Sequence, residues 1–265
     1  MKLAISNIAW SENNDEAVYA LMHKYGFSGL EIAPTRIFPE KPYADCTRAS
    51  AWADRLRTQE GFVVPSMQSI WFGRTEKLFG TGDERKTLLD YTFRAIDFAE
   101  SMGCQNLVFG CPKNRIKPDG VSEDPVCDFF KTIGDYAFAH GAYICIEANP
   151  TIYGTNYINT TKQAFELVKK LDTQGLRVNL DIGTLIANEE KMEDIMAYSG
   201  LISHVHISEP FLKPIEKRAL HCELASWLSD TGYEGWISIE MGRQDDMHEI
   251  ERVMMDVTSA IGCGC

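Results

Sequence analysis

Eight times along its length, this chain passes from a short apolar, β-branched run into a longer run whose apolar residues recur at helical spacing. The strand-like runs are 3–8, 29–32, 62–67, 106–109, 143–146, 177–180, 202–207 and 236–239. The first helical run has Ser11 as its N-cap candidate and turns Ala17, Leu21 and Met22 inward. Helical patterns follow at 46–61, 83–103, 121–140, 160–171, 189–198, 217–229 and 245–260. Glycines such as Gly26 and Gly103 stand where helices end before the next strand. Strands that are apolar on both faces and always followed by a helix belong to parallel sheets. Eight such units predict a closed (β/α)8 barrel, an α/β fold, as one domain over 1–265. The competing doubly wound sheet lacks support, because no G-x-G-x-x-G follows the first strand.

The longest irregular stretches, 34–45, 69–82, 110–120, 149–159 and 208–216, all follow strands. They therefore gather at the C-terminal mouth, where barrels build their sites. The formal net charge of −12 makes the chain a poor partner for nucleic acid or an anionic membrane. No apolar run approaches the ~20 residues of a membrane span. The first strand begins at once, without a signal-peptide pattern, so a cytoplasmic location is expected. None of the eight cysteines forms a C-x-x-C pair, and several sit in apolar patterns as reduced core thiols do. The Cys263-Gly264-Cys265 tail reads as a frayed reduced end, with a metal or redox role as the alternative.

The chemistry concentrates at four strand ends. Ile144-Cys145-Ile146 leads to Glu147, Asn179-Leu180 to Asp181, His204-Val205 to His206, and Ile237-Ser238-Ile239 to Glu240. The gaps between these residues are 34, 25 and 34, about one β/α unit each, so four adjacent strands each supply one polar side chain. Singly, each carboxylate reads as a cap or ion-pair partner and the histidine as a hydrogen-bonded core residue. Together, at matched positions, they form a metal site. Three crowded carboxylates raise one another's pKa, and a divalent cation removes that penalty. Three oxygens and one imidazole suit Mn²⁺ first, with Co²⁺, Mg²⁺ or Zn²⁺ as alternatives, and leave open positions for substrate oxygens.

Further residues are candidates for substrate contact at the mouth. Trp10 follows the first strand, Gln68 and Trp71 the third, and Asn149 and Tyr153 the fifth. The tryptophans can stack on a sugar face or pack between loop and barrel. His204, two residues before His206, points to the same side of its strand. Glu209, Lys213 and Arg243 follow the last two strands; the basic pair can take a phosphate or carboxylate, or stand as solvated charges. Glu31 either orients a site group or forms a buried ion pair.

The set Glu147, Asp181, His206 and Glu240 resembles the xylose isomerase-like barrel superfamily, and within it the sugar isomerase/epimerase branch that includes the ketose 3-epimerases. Gly26-Phe27-Ser28-Gly29-Leu30-Glu31-Ile32 is similar to the family's second-strand G-x-x-G-x-E. The resemblance covers essentially the whole chain. It implies that the four residues bind Mn²⁺ or a similar ion, and that Glu147 and Glu240 flank a sugar or sugar phosphate and pass a proton. An enediolate would then form, reprotonated on the opposite face by an epimerase or on the neighbouring carbon by an isomerase. One departure stands out: where the family often has D-x-x-H, this chain has Asp181-Ile182-Gly183-Thr184, which leaves the particular ketose open. The missing histidines also argue against the endonuclease IV branch. A metal-dependent lyase, dehydratase or hydrolase on the same barrel is the alternative activity, and a non-catalytic sugar-binding protein a further one. Metal identity and any homo-oligomer stay open.

Overall fold

The computed structural model describes residues 1–262, so the Cys263/Cys265 tail lies outside the described residues. The chain runs β1 (Lys2–Ser6), α1 (Asp15–Tyr25), β2 (Gly29–Glu31), α2 (Pro34–Ile37), α3 (Cys46–Arg55), β3 (Ser66–Met67), α4 (Gly82–Met102) and β4 (Asn106–Phe109). It continues α5 (Asp124–Ala139), β5 (Tyr143–Ile146), α6 (Thr161–Leu171), β6 (Leu176–Asp181), α7 (Ile182–Asn188), β7 (Ile202–Ile207), α8 (Ala219–Asp230), β8 (Trp236–Ile239) and α9 (Met247–Gly262). All strand pairs are parallel, in the order β2-β1-β8-β7-β6-β5-β4-β3. The two ends meet through isolated parallel bridges, Gly29 with Val63 and Ile32 with Met67, which close a (β/α)8 barrel. That seam is held by four main-chain bonds: Leu30 N–H to Val63 O (2.9 Å), Val63 N–H to Ser28 O (3.0 Å), Ile32 N–H to Ser66 O (3.1 Å) and Gln68 N–H to Ile32 O (2.9 Å).

The apolar residues of the strands and the inner faces of the helices merge into one core. Inside the barrel, small and polar side chains bond to one another instead. Asn106 Nδ2 donates to Ser66 Oγ (3.0 Å), the Cys145 thiol to Asn106 Oδ1 (2.7 Å), and His204 Nε2 lies 2.7 Å from Ser238 Oγ. These buried polar groups thus find partners where water is excluded. Burial pushes the Cys104 and Cys145 thiols up to about 12, so both stay protonated and inert.

Two elements differ from the pattern expected of them. The third strand is shortened to Ser66–Met67 because Phe62–Pro65 reaches its neighbours only through the seam bridges. The sixth helix lies at Ile182–Asn188, not at 189–198, which forms short 3₁₀ turns. Asp181 starts it directly from the strand by accepting from the Thr184 N–H (2.8 Å), so no loop intervenes. Among the described residues, no helix is long and apolar enough to cross a membrane.

Candidate metal centre

The C-terminal ends of β5 to β8 carry the four side chains into one place. The strands themselves fix all four: Glu147 N–H donates to Phe109 O (3.0 Å), Glu240 N–H donates to Ile207 O (2.9 Å), and Asp181 is the register partner of His206. Glu147, Asp181, His206 and Glu240 each present one ligand atom, and these atoms all lie within 4.8 Å of one another. His206 Nδ1 stands 3.2 Å from Glu147 Oε1 and 3.2 Å from Glu240 Oε2.

The other nitrogen of His206 explains what Nδ1 is for. Nε2 lies 2.9 Å from Glu31 Oε2, and both side chains are fully buried. Glu31 on β2 thereby reaches across the barrel and holds the Nε2–H tautomer. Nδ1 is then a bare lone pair facing two carboxylate oxygens, and it has no hydrogen-bond partner. Three electron-rich atoms aimed at one point are repulsive unless a cation stands between them, so the donor set fits a divalent metal.

Neighbours also bond to the Glu147 and Asp181 carboxylates. Asn179 Nδ2 donates to Glu147 Oε1 (2.8 Å) and Asn149 Nδ2 to Glu147 Oε2 (3.2 Å). Asp181 accepts from the Ser208 hydroxyl and from Thr184 Oγ1 (2.7 Å). Thr184, at the place of the expected histidine, therefore spends its side chain on Asp181 and the Ala148 carbonyl (2.9 Å). Two glycines leave room for this. A Cβ on Gly110 would stand 2.7 Å from Glu147 Oε2, and one on Gly183 would stand 2.4 Å from Ser208 Oγ.

Without a cation, the cluster relieves its crowding by holding protons. Burial pushes the Glu240 carboxyl up to about 7, helped by Glu147 and Asp181 against the pull of His206. Burial and then Glu147 raise Asp181. Burial alone would lower His206, but Glu31 and Glu240 lift it well above the ordinary imidazole range. Burial likewise opposes ionisation of Glu31, yet the two imidazoles hold it below the usual carboxylate range. Burial lowers His204 despite the nearby Glu31 carboxylate.

Above the cluster opens a cavity of about 220 Å³, walled by Glu147, Asp181 and Glu240 together with Gln68, Ser69, Val108, Gly110, Cys111, Pro112, Asn149, Tyr153, Ser208 and Leu212. Of the mouth residues singled out in the sequence, Gln68, Asn149 and Tyr153 line it. The others stand elsewhere. Trp10 is buried with its Nε1–H on Asp15 Oδ1 (2.7 Å), and Trp71 is buried against Phe109 and Phe129 with its Nε1–H on Thr92 Oγ1 (2.8 Å). His204 lies beneath His206, bonded to Ser238 and 3.2 Å from Glu31 Oε2. Glu209 takes both arms of the Arg218 guanidinium (2.6 and 2.7 Å), Arg243 pairs with Asp245, and Lys213 is exposed. Asn179, Ser208 and Arg115 were not singled out as site residues in the sequence, and Thr184 entered there only as the departure from the family's histidine. Ser208 carries the one available signal, its place two residues past His206.

The chain matches the xylose isomerase-like TIM barrel family over residues 19–257. No curated protein shows significant sequence similarity to it. Among solved structures, it is similar to D-psicose 3-epimerase from Clostridium cellulolyticum H10 (18% identity, 100% of this chain and 98% of that chain covered, TM-score 0.78). It is also similar to the 3-keto-D-glucoside 4-epimerase YcjR from E. coli (18%, 99% and 100%, TM-score 0.75). A family 2 AP endonuclease from Brucella melitensis shares the fold too (20%, 98% and 97%, TM-score 0.71). Eight parallel strands closed into a barrel, together with the match over nearly the whole length, place this chain in the xylose isomerase-like TIM barrel family.

Proposed function

We propose that this protein is a divalent-metal-dependent isomerase or epimerase acting on an uncharged sugar. The observation that carries the reading is the approach of Glu147 and Glu240, each 3.2 Å from His206 Nδ1, at a cavity they help to line. Glu147, Asp181, His206 and Glu240 hold the cation, with Mn²⁺ the first choice and Co²⁺, Mg²⁺ or Zn²⁺ the alternatives. When bound, it supplies Lewis acidity that lowers the cost of negative charge on adjacent substrate oxygens.

The chain's own residues move the proton. One of the two glutamates takes the proton from the carbon beside the carbonyl, and the other returns one to the opposite face, which inverts that carbon. Return to the neighbouring carbon gives aldose–ketose isomerisation. Asn179 and Asn149 fix the Glu147 carboxylate for this work, and Gln68 and Tyr153 offer neutral hydrogen-bonding groups to sugar hydroxyls.

The charge balance favours a neutral sugar over its phosphate. Among the described residues, the cavity is walled by three carboxylates and no lysine or arginine. Arg218 and Arg243 are already committed to Glu209 and Asp245. The likeness to two sugar epimerases agrees with this reading.

The test is proton exchange. Ketoses, aldoses and their phosphates are incubated with Mn²⁺-loaded protein in deuterated water, and products are read by mass and chromatography. An uncharged sugar gains solvent deuterium with conserved mass otherwise, and Glu147→Gln and Glu240→Gln each abolish the gain. Loss of water or a split carbon chain would instead identify a lyase. Full exchange by both variants would sink the two-glutamate mechanism, and absence of metal binding would leave a non-catalytic sugar binder.

A further inference from the structure

Arg115 is the largest polar side chain wholly withdrawn from solvent, with 0% of its surface exposed. It follows the 3₁₀ turn Pro112–Asn114 in the loop after β4. Among the described residues it forms no ion pair. Its guanidinium goes instead to one segment of chain: Nη1 donates to Glu147 O (2.9 Å), and Nη2 donates to Asn149 Oδ1 (2.9 Å) and Ile158 O (3.2 Å). A cation kept in the interior without a carboxylate partner carries a desolvation penalty that hydrogen bonds to neutral groups only partly offset. A packed apolar side chain avoids that cost, so the charge points to a use.

The use follows from what a guanidinium can do. It only donates. The amide it meets must therefore turn its oxygen toward Arg115, and this fixes the other end of Asn149. The NH₂ group then faces Glu147 Oε2 (3.2 Å), on the side that Gly110 leaves open. Were the amide free to turn over, its oxygen would face the carboxylate and repel it. The same arginine also holds the Glu147 main chain through its carbonyl.

From this chain of bonds we infer that Arg115 is a positioning residue, which sets the Glu147 carboxylate for the metal by locking the Asn149 amide. The inference rests on the metal-site reading above. It adds to that reading a residue that touches neither the cation nor the substrate.

The experiment measures Mn²⁺ binding alone, by the electron paramagnetic resonance signal of the free ion, in the full chain. Arg115→Met and Asn149→Ala are each expected to weaken Mn²⁺ binding about tenfold, the usual effect of losing a partner that orients a ligand. The double variant should be no weaker than either single one, and Arg115→Met should add nothing in a Glu147→Gln background. Arg115→Lys, with its charge but not its fork, should recover part of the loss. If Arg115→Met is folded by circular dichroism and binds Mn²⁺ like the parent, or if its effect adds in full to that of Glu147→Gln, the inference is overturned. If Arg115→Met does not fold, Asn149→Ala against Glu147→Gln decides: coupled losses support the Asn149 link, and additive losses break it. Failure of the parent itself to bind Mn²⁺ would strike the metal-site reading, whereas normal parent binding with an indifferent Arg115→Met strikes this inference alone.

Discussion

Gly110 stands at the handover from β4 to its loop, and its missing side chain is as much a part of the centre as any ligand. A methyl group there meets Glu147 Oε2 at 2.7 Å, closer than carbon and oxygen can approach without one moving, and Asn149 Oδ1 at a tight 3.3 Å. Gly110→Ala is therefore expected to weaken Mn²⁺ affinity about tenfold, on the scale seen when ligand geometry is disturbed, while thermal stability of the metal-free protein stays near the parent's. Calorimetric titration together with a melting curve checks both halves.

The protonation of the centre gives a second residue-scale prediction. Glu240, pushed up to about 7, and His206, lifted above its ordinary range, bind protons more tightly folded than unfolded. Their contribution to the metal-free protein is therefore greatest at low pH and is lost as pH rises through the folded values. A cation takes the place of those protons. The gap in melting temperature between Mn²⁺-loaded and chelator-treated protein should widen from about pH 6 to about pH 8, with less proton release per ion bound at the higher value. A gap that narrows would contradict the assignment.

Among elements, α7 shows how closely the barrel's construction is joined to its chemistry. Asp181 is the last residue of β6 and the N-cap of α7, so one carboxylate ends a strand, begins a helix and faces the metal position. Asparagine caps a helix as well as aspartate but lacks the charge a hard cation wants. Asp181→Asn should keep the metal-free melting temperature and lose Mn²⁺ affinity, while Asp181→Ala should lose affinity and about 1 kcal/mol of stability as well.

The same element marks the limit of what was legible in the sequence. The apolar periodicity of the strands, and the single polar residue ending β5, β6, β7 and β8, were readable because both are local patterns. The helix at Ile182–Asn188 was not, since a run that starts directly on a strand looks like more strand. Arg115, Asn149 and Asn179 meet Glu147 across separations of 32, 2 and 32 residues. Only the folded chain reveals the two bonds that span 32 residues, because neither a lone Arg in a loop nor a single Asn within a strand carries a period, whereas Asn149, two residues from Glu147, stood beside it in the sequence. The two tryptophans were ambiguous for the opposite reason: their size suits either a sugar face or a core, and their indole N–H groups end on Asp15 and Thr92.

For the molecule as a whole, the order of the strands has a consequence. The four strands that carry the cluster are contiguous, and the seam between β2 and β3 lies diametrically across the ring from the β6–β7 pair. Glu31 belongs to the seam side, yet it grips His206 on the far side. It acts as a tie-rod through the lumen, so whatever stiffens one wall steadies the other. Hydrogen exchange of the Leu30 and Ile32 amides, which donate across the seam, should slow when Mn²⁺ is added. Glu31→Gln should uncouple the two, leaving those amides indifferent to the ion. Filling the proposed metal position would then brace the joint where the cylinder closes from within, at a point no ligand touches.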